Sequence, residues 1–474
     1  MAISTATQQG IEIGRRALQA QQAGLNVTSN NVANANTAGF SRRQLQLEAA
    51  VTRARGSVGT GAEAASVTRQ RSALIDGQAR TQQQVLGYWE AKETSLGSLE
   101  SIFDEPAGAG TSEAGAVFDT ASGTGLSSSL SRFWNTWQDL ANAPESGAAR
   151  AAVRQEGELL SATLRQSAGQ LQQSRAQLDD QVAVSVTEIN SILDQLGRIN
   201  AEMPRARASA NGAGDLEDQR DRLVDQLSGL VEVGVSERDN GQLSVVLGGR
   251  EVVAATHVVG LSTRQLVAAD AAVRQVVFAD DHTPAVFDGG RVQGLIEVRD
   301  QVAPALLGQL DQLAAGLVTA VNQIHTQGYG RDGSAGVSFF DPAGTTASTI
   351  TLDPAVVDDL SRVAASLDGT AGDNGTALAL AGLRRQALFD GAQQTAEEFY
   401  ASLLGQVGAQ SQEAQTMAGN QRLFAQQIEN RRQSIQGVSL NDEAAQLVLF
   451  QRAYQAAART VSVVDDMLAT LVNI

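Results

Sequence analysis

The chain contains no cysteine, which excludes disulfides, thiolate catalysis and cysteine-based zinc sites. Histidine is almost as scarce. His257, His282 and His325 are the only three and lie scattered without ligand spacing, so no metal site is expected. Aromatics make up 4% of the 474 residues, and the 42% hydrophobic fraction must therefore build its core mainly from Leu, Val, Ile and Ala. Small aliphatic side chains of this kind suit helix-on-helix packing. Positive charge is in deficit, with 35 Lys and Arg against 52 Asp and Glu and a formal charge of −17. That excludes a nucleic-acid groove, which needs a basic surface, and adhesion to an anionic membrane face. Long apolar runs are missing too: residues 1–16 hold none able to act as a secretory signal, and no window approaches a membrane span. By these signs the protein is cytosolic unless a route without a cleaved signal exports it.

Proline is rare and confined to the interior, at 106, 144, 204, 284, 304, 342 and 354. Both ends of the chain are therefore free to form long helices. At the C-terminal end Leu447, Phe450, Tyr454, Ala457, Val461, Val464, Leu468 and Leu471 follow at steps of three and four, an unbroken a/d seam. Gly437 stops the preceding segment. Ser439-Leu440-Asn441-Asp442 fits a capping box, and Asp442 and Glu443 sit where the helix dipole favours acids. At the N-terminal end Ile11, Leu18, Leu25 and Val32 recur every seven residues, with Gly14, Gln21 and Thr28 between them. So thin a stripe needs a partner, and the C-terminal seam has the same period. Periodicity alone leaves open an internal antiparallel pair or packing between subunits; placement at the two extremes of a long chain favours the second. Ser29 to Phe40, rich in asparagine and closed by Gly39, reads as a hydrogen-bonded exit loop. Gln44 to Glu48 alternates as a short strand, followed by a turn through Gly56, Gly59 and Gly61.

Further in, helical spacing covers 71–103 (Ile75, Ala79, Leu86, Trp89, Leu96, Leu99, Phe103), about 126–142, the stretch between Pro144 and Pro204, and about 215–231; residues 107–125 read as a loop. Alternating Val231 to Val235, then Leu243 to Leu247, Val252-Val253, Val276 to Phe278 and Leu295 to Val298, predict an all-β insert over 231–299. Helix resumes from Pro304 to His325. A looser segment to about 375 contains a strand at Ser348 to Leu352, and helices run from there to the end. The fold class is mainly α with a central β insert. No catalytic constellation appears. Asp280-Asp281 and Asp465-Asp466 are adjacent and point apart, and no Gly-rich phosphate cradle opens a helix; the reading is of a protein without cofactor and not an enzyme.

Two stretches resemble bacterial flagellar axial proteins. Leu18 to Phe40 is similar to the rod and hook signature SNN-ANANT-GF, here Asn30, Asn31, Asn34, Asn36, Thr37, Gly39 and Phe40. Gln451 to Leu471 is similar to the matching C-terminal signature. Three details resemble the hook–filament junction branch, the hook-associated family: Phe40-Ser41-Arg42-Arg43 against GYSRQ, Gly437 to Glu443 against GVSLDEE, and Leu216 to Ser228 against LLDQRDxLLDELS.

The resemblance implies an axial layer of paired terminal helices (1–70 and 431–474), a helical bundle (71–230, 300–330 and 376–430) and an outward β domain (231–299, with 331–375). It implies export by the flagellar type III apparatus, an extracellular location on the flagellum, and a cytosolic chaperone on the C-terminal helix. Its implied partners are other copies of the chain, the hook protein and a second junction protein. The alternatives are another axial subunit, of hook or filament type, or a surface-binding role for the β insert.

Overall fold

A computed structural model describes residues 2–50, 59–103, 125–209, 213–267 and 272–472, with side chains described from residue 8 at one end and to residue 470 at the other. The turn expected through Gly56 and most of the 107–125 loop lie outside the described residues. Helix α1 (Ala2–Ala33) runs five residues into the stretch expected as a loop, and the exit turn occupies 34–42. Strand β1 (Arg43–Ala49) pairs antiparallel with β2 (Ala62–Arg69), which the sequence reading did not foresee.

The bundle follows. Helix α2 (Ala73–Phe103), α3 (Leu126–Asn142), α4 (Gly147–Ala208) and α5 (Gly214–Leu230) form where the spacing placed them. The α4 row Leu160, Leu164, Leu171, Leu178, Val182, Ile189, Ile192, Leu196 and Ile199 is buried along its length. Its N-cap is Ser146, whose hydroxyl accepts from the Ala149 amide. Pro204 lies inside α4 instead of ending it. The missing Pro204 N–H leaves the Asn200 carbonyl without its helical donor, and Gln242 supplies one through Nε2 at 3.0 Å.

The β region is smaller than expected. Strands β3 (Val233–Glu237), β4 (Leu243–Leu247), β5 (Arg250–Ala254) and β6 (His257–Val258) make an antiparallel sheet in sequence order. Strands β7 (Leu261–Val267) and β8 (Ala272–Phe278) make a separate ribbon. Leu295 to Val298, expected as the closing strand, is helical. Helix α6 (Gly290–Glu297) passes through a π turn at Val298–Val302 into α7 (Ala303–His325). The apolar positions Val292, Leu295, Val298, Ala303 and Leu306 all face the core at helical spacing, so the β-branched run was a helix face.

Two asparagines of α4 hold the strands. Asn200 Oδ1 accepts from the Leu243 amide at 2.8 Å while its Nδ2 donates to the Leu243 and Ala255 carbonyls. Asn190 makes the same two-way pair with Leu261.

Beyond α7 the expected strand at Ser348 to Leu352 is one isolated bridge, Phe340 to Leu352. Residues 331–375, including the short α8 (Pro354–Asp358), pack on helices α3, α4 and α7. Phe339 and Phe340 join Phe133, Trp137 and His325 in a ring cluster. His325 donates through Nδ1 to the Val337 carbonyl and accepts at Nε2 from the Ala364 amide. Helix α9 (Gly375–Gly382) leads to α10 (Ala396–Gln436), which starts on a full capping box of Thr395 and Glu398 and packs along α2. Gly437 ends α10: a Cβ there would lie 2.4 Å from the Gln433 carbonyl oxygen. Helix α11 (Leu440–Val472) then returns along α1.

Candidate assembly interface

The two terminal helices pack antiparallel. Phe450 lies over Gly24, Val461 over Gly14 and Val464 over Gly10; a Cβ at Gly24 would come within 2.5 Å of Phe450 Cε1, and one at Gly14 within 2.4 Å of Val461 Cγ2. The α11 seam supplies knobs, and a row of small or polar residues on α1 supplies the holes. Gly14, Gly24, Thr28 and Asn31 are the buried members of that row.

The hydrophobic stripe picked out in the sequence lies beside this row. Ile11, Leu18 and Leu25 are half-buried, and Val32 is 40% exposed. On α11, Leu447, Phe450, Ala457, Val461, Val464 and Leu468 are half-buried, and Tyr454 lies at the open edge; Leu471 is helical, its side chain outside the described residues. All other faces of α11 are open: Leu449 is 60%, Val463 57% and Met467 55% exposed.

The root of the pair is polar. Asn31 Oδ1 accepts from the Arg43 amide at 2.9 Å, and its Nδ2 donates to the Arg43 carbonyl and to Glu443 Oε2. Glu443 is buried, and Arg42 Nε donates to its Oε1 at 2.7 Å. Ser439 accepts from the Asp442 amide, the forward half of the expected capping box, while Glu443 turns inward to Asn31 and Arg42. Arg42 also donates its amide to the Gln436 carbonyl. One carboxylate thus ties α1, the start of β1 and the α10–α11 turn together.

The remaining motif residues shape the exit turn. Asn34 donates to the Asn30 carbonyl and accepts from the Thr37 hydroxyl. Asn36 is exposed. Gly39 has φ +76°, and a Cβ there would lie 2.2 Å from Arg222 Cδ. Phe40 lies under the Arg43 guanidinium, and the buried Ser41 donates its amide to Asp218.

Below this root runs an ion-pair ladder that the sequence reading did not pick out. Arg43 pairs with Asp215, Arg69 with Glu217, Asp218 and Asp221, Arg71 with Asp76 and Asp221, Arg80 with Asp225, and Arg432 with Asp76 and Asp225. The acids sit mostly on α5, within the motif at 216–228; the arginines come from the β1–β2 ribbon, the short link to α2, α2 itself and α10. Burial alone would push the Asp221 carboxyl up, but Arg71, Arg220 and Arg69 outweigh it and hold it below the ordinary value. Asp76 is likewise held low, against burial, chiefly by Arg71 with Gln436 and Arg432. The only signal in the sequence was the clustering of acids in that motif.

A cleft of about 850 Å³ opens between the exit turn, the end of α5 and the α10–α11 turn, lined by Phe40, Arg222, Glu429 and Asp442 among others. Among the described residues no group of His, Asp and Glu could hold a metal, and no helix is long and apolar enough to cross a membrane. The arrangement offers a packing surface.

Comparison with known proteins identifies the family. The "Flagellar hook-associated protein FlgK helical domain" matches residues 112–340, the "Flagella basal body rod protein" pattern matches 11–40, and the "Flagellar basal body rod FlgEFG protein C-terminal" matches 432–474. Flagellar hook-associated protein 1 of Bacillus subtilis is 30% identical over 99% of this chain and 98% of its own. Its counterpart in Salmonella typhimurium is 25% identical over 96% and 98%. The flagellar hook junction protein FlgK of Burkholderia pseudomallei shares the fold with a TM-score of 0.65 at 16% identity, covering 76% of this chain and 100% of that one. Similarity along almost the whole length, with matching patterns at both ends, shows that the chain belongs to the flagellar hook-associated protein 1 family.

Proposed function

We propose that the chain is a structural subunit at the junction of flagellar hook and filament, with α1 and α11 forming the inner wall of a tube and completing their packing against neighbouring copies. The observation that carries this reading is the one-sided cover of α11. Only the side turned to α1 is shaded, and no apolar side chain described on it is buried. Burying such stripes in a polymer gains about 25 cal/mol per Å² of apolar surface, and head-to-tail contacts that do not close give a helical stack.

In this assignment residues 1–70 and 431–474 form the axial layer. The bundle comprises 71–230, 300–330 and 376–430, together with 290–299 and 331–375, whose packing is on helices. The strands between 231 and 289 point outward. The hook protein lies below, a second junction protein above, and a cytosolic chaperone covers α11 before export to the flagellum without a cleaved signal. The chain acts by position and carries out no chemistry.

An epitope inserted at the Gly248-Gly249 turn, followed by imaging of purified flagella, tests this. One spot at each hook–filament boundary is expected. Label along the filament or the hook would assign the chain to another axial class, and flagella without label would overturn the assignment.

A further inference from the structure

The side of α11 turned away from α1 carries a second heptad stripe. Leu449, Arg452, Ala456, Arg459 and Val463 follow at steps of three and four, and all are exposed. Arg452 and Arg459, one heptad apart, make no hydrogen bond or ion pair among the described residues. Most other arginines near the root are paired, several to more than one acid. Two idle guanidiniums set in an apolar stripe are the pattern of a contact surface for an acidic, partly apolar partner.

The same chain displays that partner. Strands β1 and β2 place Glu48 directly opposite Glu63, on one face of the ribbon. Both are exposed, and neither has a hydrogen-bond or ion-pair partner among the described residues. Like charges directly opposite one another destabilise a strand pair, so a cation set against the rung stabilises it. On the ribbon's other face Leu47 and Val67 remain open.

Heights along the axis agree. Val461 packs on Gly14, and a Cβ at Gly61, beside the ribbon's far end, would lie 3.4 Å from Ile13 Cγ2. The Glu48–Glu63 rung stands two residues from Gly61, roughly 7 Å along the strands, which is four to five helix residues at about 1.5 Å each. It therefore stands level with residues 17–18 of α1. By the Gly14–Val461 and Gly24–Phe450 pairs, the facing part of α11 lies between Arg452 and Arg459.

We infer that the outward stripe of α11 docks a second copy of this chain through that copy's β1–β2 ribbon, with Arg452 and Arg459 taking the Glu48–Glu63 rung. This rests on the assembly reading above and names its lateral contact. Copies side by side with little axial stagger bring the two together. Each copy then neutralises one neighbour's repelling acids and presents its own rung to the next, a heterologous contact able to run around a tube.

Absence of native cysteine makes the test direct. Chains carrying Glu63→Cys with either Arg452→Cys or Arg459→Cys are oxidised in purified flagella and as free monomer. The expected result is a disulfide-linked ladder of this chain from flagella, with one or both pairs, and none from monomer. Separately, R452E/R459E should lower incorporation about tenfold, and adding E48R/E63R should restore it to within about twofold, as a charge-pair swap requires. Undiminished incorporation of R452E/R459E would overturn the inference. So would flagella holding normal amounts of the double-cysteine chain without cross-links. Failure of the underlying reading looks different: the epitope-tagged chain would then be missing from the boundary altogether.

Discussion

Helices α4 and α11 carry nearly the same three-and-four spacing, yet one is filled and the other is not. Along α4 the row from Leu160 to Ile199 is buried. Along α11 the only buried side chain described is Glu443, a carboxylate. A heptad in sequence therefore specifies that a helix has a partner face. How much of that face is covered within one chain depends on how many elements the chain can bring to it. Around α4 there are helices α2, α3, α5 and α7 and several strands; along α11 there is α1.

The contrast can be broken most sharply at Phe450 and Val461. Phe450→Asp or Val461→Asp should abolish incorporation and motility while the bundle's urea midpoint stays at the wild-type value. A shared loss of midpoint would mean that the terminal pair is an ordinary part of the core. In the bundle the order reverses. Trp137→Ala removes a ring packed against Phe133, Phe339 and His325 and should cost about 3–5 kcal/mol in urea unfolding.

The terminal root is expected to respond locally. Glu443→Ala leaves the Arg42 guanidinium with only its long bond to Gln70 and should lower protection near residues 436–446 by about 3 kcal/mol, read by amide hydrogen exchange, with little change in the bundle.

Acid separates the two regions again. Burial pushes the His325 pKa down from 6.5 to about 4, and neutral His325 holds Val337 and Ala364. Its contribution is complete above pH 6.5 and falls with pH to a total loss of about 3 kcal/mol near pH 4. Asp221 and Asp76 lie below the ordinary 3.8, so the ladder's contribution is complete above that value and is lost only as pH falls through the depressed values. Urea midpoints between pH 7.5 and 4.5 should decline in the wild type and stay flatter in His325→Gln. The smallest effect is expected from Asn200→Ala, about 2 kcal/mol, seen as faster exchange of β4 amides.

The long helices were legible because apolar side chains recur along them and no proline intervenes until Pro204, which a tertiary donor accommodates. The face that α1 turns to α11 centres on small residues beside the hydrophobic stripe. Hydrophobicity selects Ile11, Leu18, Leu25 and Val32, whereas close approach of two helices selects the glycines that admit Phe450 and Val461. Strand β2 escaped notice because AEAASVTR is exposed on both faces for most of its length and has almost no alternation to read. Leu295 to Val298 misled through its β-branched residues, although Val292 and Leu306 continue a helical period on either side. Glu443 looked like a first-turn acid; its partner Arg42 is 401 positions away, and no local rule connects them. The ladder was hidden for the same reason.

Gln242 completing the carbonyl that Pro204 orphans has a practical corollary for anyone wishing to graft a different module onto this stalk. The four-stranded sheet cannot be cut out at its two seams and replaced by a linker, because the last turns of α4 would lose their missing donor and the side-chain grip of Asn200 together. A clean excision has to begin before residue 200, and a cargo swapped in at this site must bring its own amide to that one oxygen.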